Sequence, residues 1–341
     1  MRKTRGFVLF ASLLASASVL SAQSPQSAAL QPQSAISSAA QNPRPQAQES
    51  PPPLSLLLKK VVAFLTLDYR DGNEVGQLRG TAFFVFLEDK RLGDNRGFSY
   101  LVTNRHMAEP EKDGRKLSIT KVSLRLNLKS VNGGIQSEEG ALPLGSGLRW
   151  YFPKDDAVDL AVIPLALDKQ RYDYEEFPVS LFATKDVVES EKIAEGDAVE
   201  FAGFFYQFPG QKKIEPIVRQ GILAMMPDEE LTTTRGKPGR LYLADVHVFG
   251  GNSGAPVFVN VGGFRGGSVT LGGFPYRLLG VVSGYFYETQ DFHLEVATTL
   301  AGAANANSGI SIVVPIDEVK ALLDSPELRQ RREALVGQHA K

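Results

Sequence analysis

A serine set between glycines and closed by a proline, Phe249-Gly250-Gly251-Asn252-Ser253-Gly254-Ala255-Pro256, stands directly before an apolar run, Val257-Phe258-Val259. Acyl transfer by a serine needs an exposed hydroxyl and backbone N–H groups aimed at the oxygen that becomes negative. The flanking backbone must therefore turn tightly and approach closely, which glycine allows. The same residue types also build ordinary surface turns, so possible partners elsewhere decide between the two readings. Upstream, Ser99-Tyr100-Leu101-Val102-Thr103-Asn104-Arg105-His106 is an apolar run that ends in a histidine at a turn, a setting in which an imidazole can take and return a proton. Of the other three histidines, His293 and His339 lack that setting, as does His247, six residues before Ser253. Between base and nucleophile lies Asp155-Asp156-Ala157-Val158-Asp159-Leu160-Ala161-Val162-Ile163. Asp159 sits at the mouth of the apolar run, where a carboxylate can accept the imidazole N–H and fix its tautomer. Asp155 and Asp156 read as a solvated turn, with Asp156 the alternative acid if the strand begins earlier.

The elements that must hold these groups are short β-type runs separated by Gly, Asp and Asn. In the first half they cover residues 61–67, 81–87, 99–103, 122–128 and 160–165. The rhythm repeats at 198–204, 217–224, 241–248, 255–259, 278–283 and 310–314. Many short strands at modest spacing predict a sandwich or barrels. Helical spacing of Leu and Val is confined to the end, at 316–323 and 327–335. The expected fold class is therefore all-β: two six-stranded antiparallel β-barrels with a short C-terminal helix.

The N-terminus has the order of a secretory signal: Arg2, Lys3 and Arg5, then an apolar run over 7–20 and small residues to Ala22. That core is shorter than the ~20 residues a membrane span needs, so cleavage near Ala22 and no stable span afterwards are expected. Residues 23–53 are mostly Ser, Gln, Ala and Pro, too poor in large apolar groups to offset the entropy of ordering, and read as a disordered linker. The chain has no cysteine, which removes disulfides, thiolate metal sites and a cysteine nucleophile. An exported chain without disulfides fits a bacterial envelope, periplasmic or secreted. With a formal net charge of -1 and dispersed Lys and Arg, no nucleic-acid partner is proposed. No cofactor or metal is expected.

Four stretches together resemble the successive signatures of trypsin-like serine peptidases of the chymotrypsin fold, especially the bacterial HtrA-related branch. They are Gly80-Thr81-Ala82-Phe83-Phe84-Val85, Leu101-Val102-Thr103-Asn104-Arg105-His106, Asp159-Leu160-Ala161-Val162 and Gly251-Asn252-Ser253-Gly254-Ala255-Pro256. The order His, Asp, Ser is that of the family. The resemblance implies a peptidase domain over 54–325, with barrel one at 54–185, barrel two at 186–325 and a helical tail at 326–341. It also implies an exported endopeptidase acting on protein or peptide substrates through His106, Asp159 and Ser253, with an oxyanion hole from the N–H groups of Gly251 and Ser253. A catalytically inactive peptide-binding relative and an esterase with the same triad are the alternatives. By position, His247 would lie at the base of the first specificity pocket, with Ser283 and Gly284 on a wall; a packed, hydrogen-bonded structural histidine is the competing reading of His247. The segment 285–308 reads as an insertion beside that pocket, a lid or a mobile loop.

Two departures from the family pattern matter. Asn252 stands where zymogen-activated relatives have an aspartate paired with a newly cut N-terminus, so the site is expected to form without activation cleavage. Only 26 residues follow Pro315, so a PDZ-type domain is not expected, and the oligomeric state is open.

Overall fold

A computed structural model describes residues 36–38, 54–130, 136–145, 147–265, 268–270, 274–295 and 299–339. The expected signal at 1–22 lies outside these residues, as does the linker at 23–53 except for the strand β1, Ile36–Ser38, which pairs antiparallel with residues 96–98. Among the described residues, no helix is long and apolar enough to cross a membrane.

After a short helix, α1 (Leu54–Val61), the chain makes a long hairpin of β2 (Val62–Asp71) and β3 (Glu74–Glu88). Gly72, at φ +61°, allows the reversal in two residues. Pairing continues through β4 (Arg96–Thr103), β5 (Ser118–Asn127), β6 (Ser137–Ala141) and β7 (Ala161–Pro164), with the two-residue β8 (Phe177–Pro178) beside β3. Together with β1 these strands form one open eight-stranded sheet, not the closed six-stranded barrel expected from the sequence. The reason lies in the connection from β6 to β7. Pro143 and Pro153 offer no N–H, Gly145 and Gly147 have positive φ, and the ladder is reduced to one bridge between Tyr151 and Val162. Side chains close what hydrogen bonds leave open: Leu65, Phe84, Leu101, Leu124, Leu142, Leu148 and Ile163 belong to one buried cluster drawn from both ends of the sheet.

The second half closes as expected. Its strands are β9 (Ala198–Gly203), β10 (Ile217–Met225), β13 (Tyr242–Asp245), β14 (Pro256–Asn260), β15 (Tyr276–Glu295) and β16 (Thr299–Pro315), ordered β9-β10-β13-β16-β15-β14 around a closed barrel. A small hairpin, β11 (Leu231–Thr232) with β12 (Pro238–Gly239), interrupts the passage from β10 to β13. Alternate residues such as Val199, Phe201, Leu223, Ala244, Val257, Val259 and Leu279 fill the barrel. Of the segment 285–308, which the sequence leaves as a lid or loop, residues 285–295 and 299–308 form an antiparallel ribbon that prolongs β15 and β16 until Glu295 pairs with Thr299.

Two helices follow, α3 (Ile316–Leu323) and α4 (Pro326–His339), in agreement with the helical spacing at the end of the chain. A third apolar cluster joins both halves to these helices, with Phe83, Tyr100, Phe177, Phe258, Val314, Leu323 and Leu328 in contact. Buried Arg332 ties α4 to the first sheet, donating to the Tyr100 hydroxyl at 3.0 Å and to the Leu323 carbonyl at 2.7 Å.

Candidate active site

Strand β4 stops at Thr103, and the chain turns into a single helical turn, α2 (Arg105–Ala108), with Asn104 at its N-terminal end making no side-chain bond to the turn's backbone. Fully buried Asn104 donates its side-chain N–H to the Asp159 carbonyl at 3.0 Å. The start of the histidine turn is thereby fastened to the backbone two residues before β7. The two elements also pair directly, Thr103 opposite Ala161, so His106 and Asp159 emerge from the same end of neighbouring strands.

The consequence is a double contact. His106 donates its backbone N–H to Asp159 Oδ1 at 3.0 Å, and its ring Nδ1 lies 2.7 Å from Asp159 Oδ2. Since an ionised carboxylate only accepts, Nδ1 carries a proton, and the lone pair of a neutral ring is left on Nε2. Asp159 is 1% exposed, whereas the His106 side chain keeps 29% of its surface, so one end of the pair is dry and the other faces solvent. Burial pushes the Asp159 carboxyl upward. The charge and ring N–H of His106, the Ser283 hydroxyl and the His106 backbone N–H outweigh it and hold the group down to about 2. Asp156, the alternative acid, is exposed; its carboxylate pairs with Lys237 and does not meet His106. Asp155 accepts from the Ala157 N–H at 2.9 Å in a surface turn.

The serine loop comes from the other half of the molecule and is built from two tight turns, with Asn252 N–H donating to the Phe249 carbonyl and Ala255 N–H to the Asn252 carbonyl, both at 2.9 Å. Gly254 has φ +84°, and a Cβ there would fall 2.1 Å from the Thr81 carbonyl oxygen, so only glycine fits. Thr81, on β3, fastens this loop across the two halves. Its N–H donates to the Ser253 carbonyl at 2.9 Å and its hydroxyl to the Gly251 carbonyl at 2.8 Å. The same hydroxyl accepts the Phe204 N–H, and the Thr81 carbonyl accepts the Thr103 hydroxyl. Thr103 directly precedes the histidine turn, so one buried threonine sets the serine loop against the end of β4. Gly80, next to it, touches both sides: a Cβ there would lie 2.8 Å from Met107 Cε and 3.2 Å from the Ser253 carbonyl oxygen. The sequence places Thr81 inside a recognisable stretch but carries no signal of this role beyond a polar residue at the head of an apolar run.

Half-buried Ser253 makes no side-chain hydrogen bond among the described residues, and no N–H···O bond from Gly251 or Ser253 is present among them either. Asn252 is fully buried, with Oδ1 accepting the Phe249 N–H at 2.8 Å and Nδ2 donating to the Phe204 carbonyl at 2.7 Å. An aspartate would set a carboxylate oxygen against that carbonyl. Asn252→Asp is therefore expected to cost about 1–3 kcal/mol of stability and to loosen the loop, measured as a lower urea midpoint.

The residues assigned to specificity divide. Ser283 is buried and donates its hydroxyl to Asp159 Oδ2 at 2.6 Å, so it belongs to the acid's surroundings. Gly284 adjoins Thr234. His247 is exposed, its ring lying over Gly309, and it borders an open groove of about 440 Å³ shared with Ile217, Arg219, Gln220 and Asp245.

No family model matches the sequence, and no curated protein matches it. Among solved structures, the chain is similar to Deg5, at 19% identity over 79% of this chain and 90% of that one, with a TM-score of 0.41. It is also similar to an inactive Ser-to-Ala mutant of Rv3671c from M. tuberculosis H37Rv, at 15% identity over 82% and 96%, with a TM-score of 0.40.

Proposed function

We propose that the protein is an exported serine endopeptidase in which Ser253 is the nucleophile, His106 the general base and acid, and Asp159 the group that orients the base. The observation that carries this reading is the dry, two-point contact between Asp159 and His106, which leaves Nε2 of a half-exposed imidazole as the proton acceptor. The resemblance of the four sequence stretches to trypsin-like peptidases supports it. In the first step Ser253 Oγ attacks the substrate carbonyl carbon while its proton passes to His106 Nε2, and the N–H groups of Gly251 and Ser253 receive the oxyanion. Collapse of the adduct breaks the C–N bond, His106 returns the proton to the leaving amine, and a water activated by His106 then frees the acyl group from Ser253.

One observation favours the second reading, a peptide-binding protein without turnover: Ser253 Oγ is not hydrogen-bonded to His106. Such bonds are often long before substrate binds and tighten in the complex. The test is to incubate protein lacking residues 1–22 with a fluorophosphonate and with a peptide library. A covalent adduct on Ser253 and cleaved peptides are expected; folded protein that neither reacts nor cleaves would overturn the proposal. Ester substrates assayed alongside separate an esterase from a peptidase.

The internally satisfied Asn252 amide also supports a loop that is ready on folding. Protein with residues 23–53 left uncut is expected to react with the probe as fast as protein trimmed to residue 54. A strict requirement for trimming would show that activation cleavage is needed.

A further inference from the structure

The hairpin of β11 and β12 ends against the buried acid. At its tip, the Thr234 hydroxyl lies 2.6 Å from Ser283 Oγ and 3.4 Å from Asp159 Oδ2. Three hydroxyl or carboxyl groups meet here with two protons between them, and their direction can be worked out. The carboxylate only accepts, and Ser283 Oγ is 2.6 Å from it, so the Ser283 proton points to Asp159. The short contact between the two hydroxyls then leaves one donor, so the Thr234 proton points to Ser283. The result is a directed chain, Thr234 to Ser283 to Asp159, which meets the His106 N–H on the same oxygen. A hydroxyl that accepts a hydrogen bond is a better donor through its own proton.

The tip is held in place from several directions. Thr233 is buried, its N–H donates to the Lys237 carbonyl at 2.8 Å, and Gly236, at φ +73°, closes the turn. Arg235 donates to the Asp156 carbonyl at 2.6 Å and lies 3.5 Å from Glu111, and Lys237 pairs with the Asp156 carboxylate. The Thr234 methyl sits on Gly284, where a Cβ would come within 3.0 Å, so the glycine leaves room for the methyl and the methyl turns the hydroxyl toward Ser283. Three cations around the hairpin have other partners: Arg235 pairs with Glu111, Lys237 with Asp156, and Arg105 with Glu109. His106 makes the ion-pair contact with Asp159, and Arg240 lines the small cavity beside it.

The geometry points to Thr234 as a positioning residue of the same site, acting through Ser283 to set how strongly Asp159 accepts from His106. This rests on the peptidase reading above. Thr234 touches no reacting atom, so its removal changes the quality of the base and leaves substrate binding alone.

Thr234→Val keeps the methyl on Gly284 and replaces the hydroxyl with a second methyl, from which Ser283 Oγ, 2.6 Å from that position, must draw back. For this variant Asp159 stabilises the protonated His106 ring more strongly, so kcat is expected to rise roughly five-fold with KM unchanged, and Thr234→Ser to return it to the wild-type value. With Ser283 a weaker donor, Asp159 accepts more strongly from His106, so the Nδ1 proton resonance of His106 is expected to move downfield. That resonance is read in the Ser253→Ala background, where hydrolysis plays no part, so the two proposals fail separately. A shifted resonance in a protein that cleaves nothing would refute the peptidase while sustaining the chain of hydroxyls. An unshifted resonance, or equal kcat in Thr234→Val and an active wild type, would overturn the role given to Thr234.

Discussion

Ser253→Ala and His106→Ala are each expected to abolish fluorophosphonate labelling and to lower kcat for peptide cleavage by about 10⁴-fold or more, with the double variant little worse than either single one. The non-additivity follows from the geometry. The hydroxyl is useful only if Nε2 can take its proton, and Nε2 has a reacting partner only while the hydroxyl is present. Both side chains are partly exposed, at 29% for His106, so neither change opens a cavity in the core and the fold should survive. Unchanged far-UV circular dichroism and urea midpoint would confirm that. Equal labelling of wild type and Ser253→Ala would remove Ser253 from the mechanism.

Asp159→Asn is the second large effect, about 10⁴-fold in kcat at neutral pH. If the new amide turns its N–H₂ toward Nδ1, that nitrogen must become an acceptor. The ring proton then moves to Nε2, where a lone pair is required. The substitution is nearly isosteric, so KM should change little. Stability carries a separate signature. The Asp159 carboxyl is held below its unfolded value, to about 2, so the contribution is complete above the ordinary carboxylate range near 4 and is lost as pH falls through about 2. Over that window, wild type should lose roughly 2 kcal/mol through this group, read as a falling urea midpoint, and Asp159→Asn should not show that component. Parallel acid profiles in the two proteins would mean that the His106 contact does not stabilise the carboxylate.

Much of the site is legible in the chain itself because its signals are local. A histidine ending an apolar run, an acid opening one and a serine between glycines are each readable within about ten residues. The preference for Asp159 over Asp156 came from adjacency to the apolar run, and burial follows the same pattern: the residue beside the strand is enclosed with it, and the one on the turn stays with Lys237 in solvent. Barrel strands were legible for the same reason, since alternation has a period of two. Closure was not. Whether the first sheet forms a barrel depends on a ladder between strands joined by an irregular connection, and Pro143 and Pro153 weaken it without erasing any strand signal.

By itself, then, the sequence determined the candidate base, acid and nucleophile, their order, and the β texture around them, because neighbouring residues encode turns and periodicity. Only the tertiary structure decided which distant groups complete the site. Ser283 bonds to Asp159 across 124 residues and Thr81 to Gly251 across 170, and Asn252 finds the Phe204 carbonyl 48 residues away. A hydroxyl or an amide has the same appearance in a sequence whatever it meets. Its partner is chosen by how two separately formed sheets pack, and once buried each such group must find a hydrogen bond or destabilise the fold.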